Sequence, residues 1–287
     1  MQKIPVRHIT TAPKDQGLTG RFSIRRVETI ITGEQLVHDL HRHDFFFLLA
    51  IHKGKGIHEI DFIRHEISNN TVFLLRPGQV HRLELKAGST GYLMEFDQAF
   101  YRSKNTSAAE RWKRAGTKNF CKTETAVFEK LYAVLTNIFN EFTDKKNYYP
   151  EAIIALLDLF FIEFIRVSQN PANGNKPSNG YTQERFEELL HLLEQNIGSM
   201  KQVSEYADKL NLSPYQLNAI TKESVGKTVS ELINEQIVLE AKRLLLATPS
   251  QVKEVADHLG YEDVSYFIRF FKKQTGLSPE AFRKNFK

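Results

Sequence analysis

The sequence predicts an α+β chain: a strand-rich domain with a helical pair behind it, then an all-helical C-terminal domain. Three observations carry this. From about Phe22 to Phe96, apolar runs such as FFFLLAIH and TVFLLR are punctuated by Gly33, HKGKG, SNN, RPGQ and KAGSTG. That is the rhythm of short strands joined by tight turns in a small barrel or sandwich. From about Lys122, apolar residues recur at three- and four-residue steps, the period of a helix with one buried face. Finally, a helical segment beginning at Val203 recurs in recognisable form beginning at Val252.

The bulk numbers bound the class. A length of 287 residues suits two domains. With 41% apolar and 25% charged residues, the composition is that of a globular protein able to bury a core. No run reaches the roughly 18 uncharged apolar residues of a membrane span; the nearest approach, residues 152–167, carries Asp158, Glu163 and Arg166. The opening MQKIPVRHITTAPKDQ lacks the apolar core of a signal peptide. The single cysteine, Cys121, excludes an intramolecular disulfide framework and a clustered-thiolate zinc site. These features predict a cytoplasmic protein without a membrane partner.

Charge is unevenly spread. Residues 1–182 hold 25 basic and 19 acidic side chains, residues 183–241 hold 5 and 10, and residues 242–287 hold 9 and 5. Within the C-terminal domain, only the last segment has the sign expected of a surface that meets phosphates.

The barrel of about 22–96 and a helical pair of about 122–168 make up a first domain, 1–168. In the first helix of the pair Phe128, Leu131, Tyr132, Leu135, Ile138, Phe139 and Phe142 keep helical spacing. After a break at Lys145–Pro150, the second helix is apolar nearly all round, leaving a narrow polar strip of Glu151, Asp158, Glu163 and Arg166. Such a helix must be covered on most sides. The sheet covers one; a second copy of the chain, in a homodimer, covers another. A linker of 169–182 follows, containing NPANGNKPSNG, which has no apolar period.

The third part, 183–287, is helical throughout. Phe186, Leu189, Leu190, Leu193 and Ile197 form one face of its opening helix. VSEYADKLNL at 203–212 matches VKEVADHLGY at 252–261, and SPYQLNAITKESVG at 213–226 aligns with DVSYFIRFFKKQTG at 263–276. Between the copies, Val229, Leu232, Ile233, Ile237, Ala241, Leu244 and Leu245 define a long amphipathic helix that stops before Pro249. Each copy is two short helices with a turn between them, as a helix-turn-helix requires. Two such units on one connecting helix can place their second helices in successive major grooves of double-stranded DNA.

In the second unit, Asp263 caps the helix or meets an adjacent amide, Phe267, Phe270 and Phe271 face the core, and Ser265, Tyr266 and Arg269 face outward. An outward arginine can donate two hydrogen bonds to a guanine edge. Lys272 and Lys273, with Arg283 and Lys284, suit phosphate contacts, which fix register without reading sequence. In the first unit the corresponding candidates are Tyr215, Gln216, Asn218 and Lys222.

Gly260-Tyr261, Ser265-Tyr266-Phe267, Arg269, Phe271-Lys272-Lys273, Gly276, Ser278-Pro279 and Phe282-Arg283 closely resemble the signature of AraC/XylS-type transcription regulators. The resemblance covers roughly residues 184–287. It implies a seven-helix module with two reader helices, a separate sensing or dimerising domain, promoter DNA and RNA polymerase as partners, and a small-molecule effector. The first copy departs from the pattern. The family usually has arginine where Ala219 stands and an aromatic where Thr221 stands, so the second helix is expected to contribute more to binding.

His41-Arg42-His43 places two imidazoles on one face of a strand, and Arg76-Pro77-Gly78-Gln79-Val80-His81 follows another strand. Three readings stand side by side: a facial set for a divalent metal, the polar lining of a small-ligand pocket, or structural histidines. The arrangement resembles a cupin domain, which the AraC/XylS family often carries in front of its reader. A catalytic cupin usually adds a glutamate soon after the HxH pair, and Phe45–Ile51 contains none. No metal centre or cofactor is therefore assigned, and His41, His43 and His81 are taken as effector-pocket residues. Neither a nucleophile elbow nor a Gly-rich phosphate loop occurs, so no catalytic function is expected.

Overall fold

A computed structural model describes residues 5–9, 21–97, 99–101, 115, 118–168, 180–247 and 250–285. The chain divides into two compact units within the Asn- and Pro-rich stretch, between Asn175 and Lys176.

Among the described residues, the first unit is built on two five-stranded sheets. One holds β1 (Val6–Arg7), β3 (Gln35–His43), β8 (Val80–Lys86), β5 (Gly56–Ile60) and β6 (Ile63–Ile67), in the order β1-β3-β8-β5-β6. The other holds β10 (Phe120–Lys122), β7 (Thr71–Leu75), β4 (Phe46–Lys53), β9 (Thr90–Phe96) and β2 (Phe22–Arg26), in the order β10-β7-β4-β9-β2. A single helical turn, α1 (Val27–Ile30), follows β2. Strands β1 and β10 lie outside the 22–96 segment legible as barrel. At two and three residues they are too short for any period to show.

Strand β4 explains its own unbroken apolar run. Phe45, Phe47, Leu49 and Ile51 belong to the core between the sheets, with Phe73, Leu83, Leu85 and Leu93. Phe46, Leu48 and Ala50 point the other way, into a second core with α2 (Thr125–Asp144) and α3 (Tyr149–Ser168). A strand buried on both faces needs no polar alternation. The helical pair is thus a layer on the outer face of the second sheet. Lys145, with φ 50, ends α2 in the left-handed conformation, and its amide donates to the Glu141 carbonyl at 3.0 Å. On the outer side of α3, Ala155 and Leu159 are exposed and Ile162 is half-buried.

Among the described residues, seven helices make the second unit: α4 (Gly180–Asn196), α5 (Val203–Lys209), α6 (Pro214–Val225), α7 (Val229–Ala247), α8 (Val252–His258), α9 (Val264–Thr275) and α10 (Pro279–Asn285). Helix α4 opens before the Gln183 boundary read from the sequence, and Thr182 is already buried. Gly180, Tyr181 and Thr182 carry no apolar period, which is why they read as linker; residues 169–179 of that linker lie outside the described residues. Helix α7 contacts members of both duplicated pairs and contributes Val229, Ile233, Ile237, Ala241 and Leu245 to the core.

The duplication extends to hydrogen-bond geometry. Glu205 accepts from the Gln202 amide at 2.7 Å, and Glu254 from the Gln251 amide at 2.8 Å, satisfying matched donors where α5 and α8 start. The Leu212 and Tyr261 amides each donate 2.9 Å bonds to Ala207 and Ala256 carbonyls. Gly226 (φ 73) and Gly276 (φ 78) close α6 and α9 in the left-handed conformation.

Candidate nucleic-acid interface and buried histidine cluster

In α9 the buried residues are Phe267 and Phe271, four apart on one face. Phe271 packs edge-on against Phe282 of α10, with ring centres 5.7 Å apart. Phe270 is only half-buried and lies 5.8 Å from the Tyr261 ring. This anchoring leaves Ser265, Tyr266, Arg269, Lys272 and Lys273 exposed together. One Asp263 carboxylate oxygen accepts from the Ser265 amide at 2.7 Å, capping the helix. The other lies 3.8 Å from Arg269.

Helix α6 presents a poorer surface. Tyr215 is 84% exposed, and Lys222 is exposed. Gln216 is exposed, but its Oε1 accepts from the Ser213 amide at 2.9 Å, completing a capping box. Asn218 is engaged at both ends of its amide: Nδ2 donates to the Pro214 carbonyl at 2.9 Å, and Oδ1 accepts from the Val229 amide at 3.0 Å. It joins α6 to the start of α7. Thr221, fully buried, donates to the Asn218 carbonyl where Phe271 fills the matched space in α9. Arg283, placed among the phosphate contacts by its charge, instead donates to the Leu245 and Ser250 carbonyls at 2.8 and 2.6 Å. It closes the end of α7.

The fold brings His41, His43 and His81 together. His41 and His81 face each other across the β3–β8 pair, and His43 Nε2 lies 2.6 Å from His81 Nε2. One ligand nitrogen from each of the three falls within 4.8 Å of the others, and all three rings are buried. Two further histidines join them. His58 Nε2 of β5 is 2.8 Å from His81 Nδ1, and the His38 ring centre is 5.7 Å from that of His41. Phe47 stacks on His43 at 5.3 Å, and Phe73 sits 4.7 Å from His58, so the walls are aromatic.

Burial holds these rings neutral. Desolvation, with repulsion from Arg7 and Arg25, lowers His38 to about 4, and desolvation, with repulsion from His41, Arg7 and the other imidazoles, lowers His43 to about 2. His41 falls to about 4, mainly through desolvation, although its bond to the Asp39 carbonyl acts the other way. Desolvation lowers His58 to about 3 and pushes His81 well below the usual imidazole range. Among the described residues, His38 Nδ1, His41 Nε2, His43 Nδ1 and His58 Nδ1 are buried without a hydrogen-bond partner. Each such atom costs about 1–3 kcal/mol unless something meets it.

Neutral, converging imidazoles fit a divalent transition metal, with His41, His43 and His81 as ligands. The 2.6 Å contact between His43 and His81 needs a proton between the rings; a bound ion would take up both lone pairs in its place. A polar organic molecule can meet the same nitrogen atoms by hydrogen bonds.

A family model described as a helix-turn-helix domain matches residues 206–285, and one described as an AraC-like ligand binding domain matches residues 27–106. The uncharacterized HTH-type transcriptional regulator YfiF of Bacillus subtilis (strain 168) is 23% identical over 256 residues, covering 86% of this chain and 79% of YfiF. The HTH-type transcriptional activator RhaR of Mannheimia succiniciproducens is 23% identical over 248 residues, covering 86% of this chain and 87% of RhaR. Among solved structures, the C-terminal domain of the two-component response regulator yesN from Fusobacterium nucleatum is 31% identical. That match covers 35% of this chain and 98% of the domain, with a TM-score of 0.33.

Proposed function

Since this chain belongs to the AraC family of transcription regulators, with an AraC-like ligand-binding domain and a helix-turn-helix domain, we propose that it binds promoter DNA through α6 and α9 in successive major grooves, α9 contributing more of the base readout. The observation that carries the ranking is the contrast between the copies. Arg269 stands exposed above a buried Phe267–Phe271 anchor. The matched residue in α6 is Ala219, and Asn218 beside it is engaged within the protein. Tyr215 and Lys222 are the exposed candidates on α6 whose side chains take no part in its capping.

The test is footprinting on the chain's own upstream region, followed by titration of the mapped site. Arg269→Ala should cost about 1–3 kcal/mol and relax specificity at one base pair. Tyr215→Ala should cost less, and Asn218→Ala should leave base preference intact. A larger loss of operator binding in Asn218→Ala than in Arg269→Ala reverses the ranking.

His41, His43 and His81 form the effector site in this reading, with His38 and His58 beside them. An effector acts by binding one arrangement of the domains more tightly than another. The four unpartnered nitrogens favour a divalent metal ion or a polar molecule over an apolar one. A second copy of the chain covers Ala155, Leu159 and Ile162 of α3. RNA polymerase is the further protein partner, and activation is the direction carried by relatives named as RhaR activators.

A further inference from the structure

We propose that Asp263 is a positioning residue that makes Arg269 a reader of bases instead of a binder of phosphates; this rests on the reading that α9 enters DNA. Arg269 lies six residues beyond the capping position, about 9 Å further along the helix axis. Its side chain nevertheless returns to within 3.8 Å of the Asp263 carboxylate. Helical side chains lean toward the N-terminus, and the carboxylate draws the guanidinium the same way. The N-terminal end of a recognition helix is the part that meets base edges. Both partners remain open to solvent, at 69% and 62% exposure, so DNA can reach them.

The duplication supplies an internal comparison. In α6 the matched cap is Ser213 and the matched arginine position is Ala219. The Ser213 hydroxyl accepts from the Gln216 amide at 3.2 Å. A neutral oxygen therefore suffices for capping. The negative charge stands only in the copy that has the arginine. Beside a guanidinium it offsets attraction to phosphates, which is independent of sequence. It leaves the outward N–H groups free to fork onto guanine O6 and N7. As an exposed ion pair, it contributes little to the stability of the fold.

Asp263→Asn tests this, because asparagine keeps a capping oxygen and loses the charge. The full-length chain is titrated against the footprinted duplex, against single-base-pair variants of it, and against unrelated DNA, at several salt concentrations. Melting temperature should be unchanged. The ratio of specific to non-specific affinity should fall about tenfold, and the slope of log affinity against log salt on unrelated DNA should steepen by about one. The lost discrimination should map to the base pair relaxed by Arg269→Ala, and Asp263→Asn should add nothing in the Arg269→Ala background.

Three results overturn the inference: an unchanged ratio and slope, tighter specific binding, or an effect that persists without Arg269. A wild-type chain with no salt-resistant site anywhere overturns the DNA-binding reading and takes this inference with it.

Discussion

Asn211 and Gly260 hold the same place in the two halves of the C-terminal unit, each in the left-handed conformation that turns the chain between paired helices, with φ of 53 and 68. The tolerance differs. Asparagine adopts this conformation at modest strain. At position 260 a Cβ would stand 2.0 Å from the Gly198 carbonyl oxygen, so backbone must move as well.

Gly260→Ala is accordingly expected to lower the stability of the C-terminal unit by about 1–3 kcal/mol or more, while Asn211→Gly stays near neutral. Urea unfolding of both variants checks this. Equal midpoints for the two would show that Gly198 yields freely.

Arg283→Ala separates a structural arginine from a phosphate contact. Loss of its bonds to the Leu245 and Ser250 carbonyls should destabilise the unit by about 1–3 kcal/mol. The salt slope of DNA binding should not change. A slope reduced by about one would restore the phosphate role.

Leu159→Asp places a charge on the exposed face of α3 shared with Ala155 and Ile162. Sedimentation should show the wild type as a dimer and the variant as a monomer with an unaltered circular dichroism spectrum. A dimer that survives moves the interface elsewhere.

The neutral histidines give the metal-free first unit a defined pH response. His38 and His41 are lowered to about 4 and His58 to about 3, against about 6.5 in the unfolded chain. Between these limits the unfolded state binds more protons, so stability rises with pH. It should be fully present above about pH 6.5 and decline as pH falls toward 4. Denaturant midpoints taken from pH 7.5 to 4.5 measure the slope, and His58→Phe should flatten it.

Adding zinc to chelator-treated protein at pH 7.5 should raise the melting temperature of the first unit. His43→Phe and His81→Phe should abolish the rise. Identical melting with zinc and with chelator would leave a polar organic effector as the occupant.

Much of the C-terminal surface was legible in the sequence because the outward set at Ser265 and Arg269 and the inward pair at Phe267 and Phe271 obey one helical period. The role of Asn218 was not: its bond runs to Val229, and nothing in the spacing of α6 announces that partner. His41 and His43 were found by strand parity. His38 escaped because the odd separation from His41 puts it on the opposite face of a regular strand, and a register shift between them undoes that parity. His58 sits in GIHEI, a strand with too little alternation to show which face it turns inward. Arg283 looked like a phosphate contact because charge alone does not reveal a carbonyl partner.

Strand β4 has no idle side. Phe47 lies against His43 within the barrel, while Phe46 and Leu48, its neighbours in the chain, press on the helical layer behind. Whatever settles among the imidazoles therefore pushes on a wall one peptide thick, and α2 leans on the far side of that wall. Occupancy of the barrel and the packing of the helical layer are, by construction, hard to alter separately.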